Sequence, residues 1–304
     1  MSKFLTILLS ALTIFSAQAK ETITIIYPFS AADTMANWAR AFAEESNKSQ
    51  DKYQFLVDYK PGAGNTIAAN HVLATPNTIL YTSSAFFVRP VFYPNESYNV
   101  NDFKQLLPMC NAPLAVSSAK YKTWSEVPKD VPLNIGTSGL GVTTHLGALQ
   151  VVAKYPNAQV VPFKSTNDAV LAAASDTVDL ALSFMGEAEE WTKDGSKRPL
   201  YVLGITGPQT VNGRTSMVTQ GFNKLVGAMS VPHHMLVPTK MPADKFNEIQ
   251  KILASVAKNK AVLDSYKSDH CVAINALNAK DIESWHNSQK KLWTDVATTA
   301  KNSK

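Results

Sequence analysis

A run of β-branched residues, Ile23-Thr24-Ile25-Ile26-Tyr27, is stopped by Pro28, and apolar side chains at helical spacing begin a few positions later. Met35, Trp38, Ala39 and Phe42 fall at i, i+3, i+4 and i+7, with Asp33 where an N-cap belongs. This strand-then-helix unit recurs, and the recurrence leaves few folds open. Phe55-Leu56-Val57 predicts a second strand, ended by Lys60-Pro61-Gly62-Ala63-Gly64. A short helix over 66–73 follows, then a third strand, Thr78-Ile79-Leu80-Tyr81-Thr82. Alternation of this kind predicts an α/β fold whose parallel or mixed sheet is covered on both faces.

The rhythm returns after residue 130. Leu133-Asn134-Ile135-Gly136 predicts a strand, 137–144 a polar turn and 145–154 a helix. Val160-Val161 starts another strand, 168–174 a helix, 178–182 a strand and 201–205 one more. Two α/β units therefore flank the segment near 113–120. Residues 229–238, apolar and bounded by proline, are expected to cross back to the first unit. An amphipathic helix through Phe246, Ile249, Leu253 and Val256 follows, and a last helix carries Ile282, Trp285 and Trp293. The expected organisation is a first domain of 20–115 plus 230–304 and a second of 116–229. Trp38, Trp285 and Trp293 are expected in cores.

Before the first strand, Met1-Ser2-Lys3, the apolar stretch from Phe4 to Phe15 and Ala17-Gln18-Ala19 form the pattern of a secretory signal peptide, 1–19. The stretch is too short for a permanent membrane span, which needs about 20 residues. An exported, periplasmic protein starting at Lys20 is expected, with no embedded segment. Loss of Lys3 takes the formal charge from +5 to +4. That charge is spread without a basic run, which argues against nucleic-acid binding. Cys110 and Cys271 are the two cysteines. In an oxidising compartment they form one disulfide or remain two buried thiols, and sequence alone leaves both open. They are too isolated for a metal site.

In open α/β sheets ligands bind beyond the carboxyl ends of strands, where helix N-termini present free N–H groups. Small hydrogen-bonding residues stand at those points here. Ser30-Ala31-Ala32 follows the first strand, Pro61-Gly62-Ala63-Gly64-Asn65-Thr66 the second and Ser83-Ser84 the third. Thr137-Ser138-Gly139-Leu140-Gly141-Val142-Thr143-Thr144 follows the first strand of the other unit. Any one such turn reads as a cap or tight corner; their presence on both units points to a binding cleft.

These turns also carry a family resemblance over nearly the whole chain after residue 19. Ile25-Ile26-Tyr27-Pro28-Phe29-Ser30-Ala31 through Ala39-Arg40 resembles the opening loop of the solute receptors of tripartite tricarboxylate transporters, the Bug or TctC-like periplasmic binding proteins. Pro61-Gly62-Ala63-Gly64-Asn65 matches their second turn. Asn134 to Gly141 with Thr143-Thr144-His145-Leu146 resembles their glycine- and serine-rich loop. Val161-Pro162-Phe163-Lys164 and Leu236-Val237-Pro238 complete the series.

The resemblance implies a type II periplasmic binding fold: two α/β domains, two hinge crossings and a ligand cleft between them. The crossings are expected near 112–118 and 224–231. The implied function is capture of a small polar metabolite, a carboxylate or dicarboxylate, by hinge closure and its delivery to membrane transporter subunits. The implied contacts are Phe29, Ser30, Ala31, Ala32, Ser83 and Ser84 from the first domain. From the second they are Thr137, Ser138, Thr143, Thr144 and His145, with Phe163 as a wall. Ser183 falls near a family acidic position, and an insertion around 194–197 blurs the alignment. A monomer without cofactor is expected.

The chain departs from the family at Ala32, Asp33 and Ala36, where glycine, glycine and aspartate are usual. Asp33 is expected to cap the first helix from outside the pocket; pointed into the cleft, it would repel an anion. Catalysis is not expected. His145 follows several hydroxyl residues, but there is no G-x-S-x-G elbow and no acid placed to orient it. His233-His234 is adjacent and cannot present both rings to one metal from a helix face. Glu187, Glu189 and Glu190 read as a solvated face, with a transporter-docking surface as the alternative. Two other functional classes share these features: a sensory co-receptor for a membrane kinase, and an exported hydrolase.

Overall fold

The structure is a computed structural model that describes residues 19–192, 199–207, 210–223, 225, 229–274 and 278–302. The expected export segment, all but its last residue, and the insertion around 194–197 lie outside the described residues. Three parallel strands, β1 (Glu21–Tyr27), β2 (Tyr53–Tyr59) and β3 (Thr78–Ser83), alternate with α1 (Thr34–Ser49) and α2 (Thr66–Ala74). After α3 (Ala85–Phe92) comes the long β4 (Phe103–Ser118). The second unit follows: β5 (Leu133–Thr137), α4 (Thr143–Lys154), β6 (Ala158–Pro162), α5 (Thr166–Ala174), β7 (Leu180–Phe184), α6 (Met185–Glu190) and β8 (Tyr201–Ile205). The chain returns along β9 (Ser230–Pro238) and ends in α7 (Ala243–Val256), α8 (Lys260–Lys267), the two-residue β10 (Val272–Ala273) and α9 (Ala279–Asn302).

Sheet order is β2-β1-β3-β9-β4-β7-β5-β6, with β8 and β10 also on β4. Two antiparallel strands, β4 and β9, join the parallel halves. The first half of β4 pairs with β9 from Phe103↔Pro238 to Pro113↔Ser230, and its end pairs with β7 and β8. The largest core holds Leu114 with residues from Ile23 to Ala112 and from Met229 to Ala300 and reaches Leu146, Leu149 and Phe184 of the second unit, whereas Val116 packs with Ile135, Leu180 and Phe222 in a second core. Ala115 sits between them, against Met185, Ala188 and Ile205. This is the two-lobed type II periplasmic binding architecture. Thr206 pins the crossings together: its Oγ1 accepts from Leu114 N (2.9 Å) and donates to Met229 O (2.8 Å).

Trp38 and Trp293 are fully buried, as expected of core side chains, and Trp285 is half-buried, edge-on to His234. The unforeseen α3 contains Pro90, which has no N–H to offer the Phe86 carbonyl one turn back. Tyr98 OH donates to that carbonyl at 2.9 Å while its ring stacks on Phe86, so the helix continues through the proline.

Cys110 on β4 and Cys271 beside β10 are joined, with Cα atoms 5.6 Å apart and a sequence separation of 161. The bond ties the loop after α8 to the central strand. For a loop of that length the chain-entropy account gives about 5 kcal/mol, and measured bridges more often give about 2–4 kcal/mol. Cys110→Ser with Cys271→Ser should therefore lower the urea midpoint clearly, and reductant should do the same to the parent. An unchanged midpoint would count against a stabilising bridge.

Candidate functional site

The carboxyl ends of β1 and β3 in the first lobe and of β5 and β7 in the second face one another. Between them lies a tight cavity, with room for little more than about one water as the lobes stand. The first lobe lines it with Tyr27, Phe29, Asp33, Met35, Thr82, Ser83, Ala85 and His233; the second supplies Ser138, Val142, Thr143, Thr144, Thr166 and Phe184. Sheet register explains the set. Tyr27 ends β1, Ser83 ends β3 opposite His233 of β9, and Phe184 ends β7 opposite Leu114. Gly141 has φ +70°, and a Cβ there would meet the Tyr93 ring at 2.7 Å. That conformation brings the chain tightly into α4 and sets its first turn at the cavity wall.

The lobes touch around this space. Ser84 Oγ lies 3.2 Å from Thr143 Oγ1, Arg89 donates to Leu140 O at 2.8 Å, and Phe184 packs on the His233 ring at 5.0 Å. On the far side Glu189 Oε2 is 2.6 Å from His270 Nε2.

Three buried carboxyl groups from both lobes gather beside the cavity. Asp33 occupies the N-cap position of α1 but makes no capping bond; its side chain turns inward and Oδ2 accepts from Tyr27 OH at 3.2 Å. The expected outward cap is thus corrected: Tyr27, the last residue of the strand, offers a buried donor that solvent would not. Asp33 Oδ1 has no hydrogen-bond partner in bonding geometry, although Ser165 and the Asn167 amide at the start of α5 are near enough to favour its charge. Burial, reinforced by Asp168, nevertheless raises the Asp33 carboxyl to about 7.

Glu187 accepts from Thr166 Oγ1 at 2.9 Å; burial, then Asp33 and Asp269, push its carboxyl well above the usual range. Its burial corrects the expected solvated acidic face, because α6 packs into the lobe boundary. Asp269 accepts from Thr34 Oγ1 at 2.7 Å and is raised to about 6, chiefly by burial. His233, also buried, is held neutral with its pKa lowered to about 3.

Of the residues singled out from sequence, Phe29, Ser83, Ser138, Thr143 and Thr144 line the cavity. Ser84 is one step back, bonded to Thr143. Thr137 Oγ1 donates to Gly139 O, shaping the loop, and Ser183 donates to Phe184 O beneath the wall. Ala31 and Ala32 are exposed outside the cavity, and the Ser30 hydroxyl accepts from Ala32 N, because the loop turns outward before Asp33 turns in. His145 lies in an outer groove against Phe92, its Nδ1 accepting from Gly141 N at 3.1 Å. Phe163 faces a separate surface groove with Pro162 and Lys164. Among the described residues no cluster has the makings of a metal site, and no helix is long and apolar enough to cross a membrane.

The model of the tripartite tricarboxylate transporter family receptor, TctC, matches residues 39–300. The chain belongs to this family. Its solved relatives share the fold at low identity. The periplasmic binding protein BugD superposes with a TM-score of 0.81 at 19% identity, over 93% of this chain and 98% of that one. MatC from Rhodopseudomonas palustris, solved with bound malate, gives 0.77 at 17%, over 91% and 99%. A second R. palustris protein, solved with adipate, gives 0.77 at 17%, over 93% and 98%. No curated protein matches the chain.

Tyr27, Thr82, Thr166, Phe184 and His233 join this receptor's cavity without having been expected there. Tyr27 and Thr82 sit at or next to strand ends, where polar turns draw attention to the following residues instead, and Phe184 follows Ser183, the residue singled out there. His233 is an inward position of a strand read as a plain crossing.

Proposed function

We propose that this chain is a periplasmic solute receptor. It captures a small polar metabolite bearing a carboxylate between its lobes and delivers it to subunits of a tripartite tricarboxylate-type transporter, acting as a monomer without catalysis. The observation that carries this reading is the cavity lined from both lobes at the carboxyl ends of their strands, with Ser138, Thr143, Thr144 and Thr166 beside Val142 and Phe184 on the second-lobe wall. The malate and adipate of the two R. palustris relatives support the carboxylate class. His145, outside the cavity, supports binding over turnover.

In this reading 20–115 with 230–304 forms one lobe and 116–229 the other. They would hinge at 112–118 and at 224–231, part of which lies outside the described residues. Ligand contacts from both lobes favour the closed state over the open one, which is all that closure requires. Small-angle scattering should show a smaller radius of gyration with saturating ligand than without. A ligand that binds without any compaction would refute the closure mechanism.

A further inference from the structure

The cavity's surface is mostly apolar, and the few polar groups that reach it fall into two sets that differ in sign. At one end are Ser138, Thr143 and Thr144 at the start of α4, whose N-cap residue, Val142, has no side chain able to occupy the free amides. Such a helix end favours an anion. At the other end is Asp33, with Glu187 directly behind Thr166. Among the described residues no lysine or arginine lines the cavity.

Among the described residues, two buried polar atoms of the lining lack a partner in bonding geometry: Oδ1 of Asp33, a residue 1% exposed with Ser165 and the Asn167 amide nearby, and Nε2 of His233, a residue 3% exposed. A buried carboxylate oxygen without a donor is costly, and a second carboxylate brought beside it adds repulsion. A ligand that carries a cation removes both costs. Tyr27, Phe29 and Phe184 add aromatic surface on which such a cation rests favourably.

We propose that the solute is a small amino carboxylate, a zwitterion whose cationic nitrogen donates to Asp33 and whose carboxylate is held by the hydroxyls and amides at the start of α4. This rests on the receptor reading and specifies its ligand. His233 Nε2 supplies one further contact, as donor or acceptor according to its tautomer. The alternative chemistry is a hydroxy- or dicarboxylate bound to a protonated Asp33.

Matched ligands separate the two. Calorimetric titration of the purified protein near neutral pH, with the pairs aspartate and malate, alanine and lactate, and 4-aminobutyrate and 4-hydroxybutyrate, compares ammonium with hydroxyl on one skeleton. In each pair that binds, the ammonium member should be tighter by about tenfold or more, and Asp33→Asn should bring the two within about threefold of each other. The parent ratio decides the matter even if the variant folds poorly. Hydroxy acids binding as tightly as their amino partners, or adipate and malate binding while no amino acid does, would overturn the assignment and leave the receptor reading intact. Failure of every compound to bind would remove both.

Discussion

Gly186→Ala should weaken ligand binding by about tenfold to a hundredfold while leaving the unliganded protein as stable as the parent or slightly more so. Gly186 is the second residue of α6, on the second lobe. A Cβ built there would lie 2.1 Å from Ser268 O and 2.5 Å from Asp269 Oδ1, both on the loop after α8 of the first lobe. That loop has little freedom to yield, because Cys271, two residues beyond Asp269, is bonded to Cys110 of β4. Alanine is the better helix former by about 0.5–1 kcal/mol, so nothing within α6 opposes the substitution.

The cost falls on the closed state. Overpacking of this kind costs about 1–3 kcal/mol, and whatever penalises the binding-competent state reduces apparent affinity by the same factor. Scattering should find the variant extended at ligand concentrations that compact the parent. Parent-like affinity with full compaction would show that the lobes do not meet at Gly186 when they close.

Much of this fold was legible because its strands are β-branched runs ended by proline or glycine, and its longer helices keep an apolar stripe. β1, β3 and β8 were expected within two residues of where they form. The start of α4 was placed two residues late, because Thr143 and Thr144 read as turn residues; they are the first helical residues, with Thr144 Oγ1 2.9 Å from Ser138 Oγ. α3 was hidden by Pro90, which is tolerated only through a tertiary donor, Tyr98. α8 buries just Val262 and Tyr266, too sparse a stripe to stand out.

The site was legible as a set of turns but not as a set of side-chain directions. Ala31 and Ala32 face outward and Asp33 inward within three consecutive residues. What decides this is Tyr27 OH, a buried donor whose position depends on the whole sheet. The burial of Glu187 likewise depends on a first-lobe loop some 80 residues away in sequence. Local patterns carry no trace of such pairings.

Asp33→Asn should stabilise the protein with its lobes closed at neutral pH and hardly at all in acid. The sign follows from where the proton resides. In the unfolded chain the Asp33 carboxyl keeps its ordinary value of 3.8; in the folded protein burial raises it to about 7. Below the lower value both states are protonated and nothing is lost. As pH rises through the interval, the unfolded chain ionises first, so stability falls until the folded group has also ionised.

Asparagine, which can still accept from Tyr27, escapes that fall. A raised pKa of this size corresponds to roughly 4 kcal/mol at most, and about 2–4 kcal/mol is the expected gain above neutrality. The buried histidines work in the opposite direction. His233 and His234, lowered to about 3, and His286, lowered to about 4, stay neutral in the fold, so stability is also lost as pH falls below their ordinary value of 6.5. Glu187 and Asp269, both raised, add to the carboxyl side.

The parent's own pH profile therefore sums opposing contributions, and the difference between variant and parent isolates Asp33. Urea midpoints taken near pH 4 and again near pH 8 should show that difference growing with pH. A constant difference would mean that Asp33 is ionised in the fold throughout. With ligand the sign carries a second message. A cationic nitrogen on Asp33 favours its ionised form, so affinity for an amino carboxylate should hold or rise from pH 6 toward about 8, whereas a dicarboxylate that needs the proton on Asp33 should lose affinity over the same range.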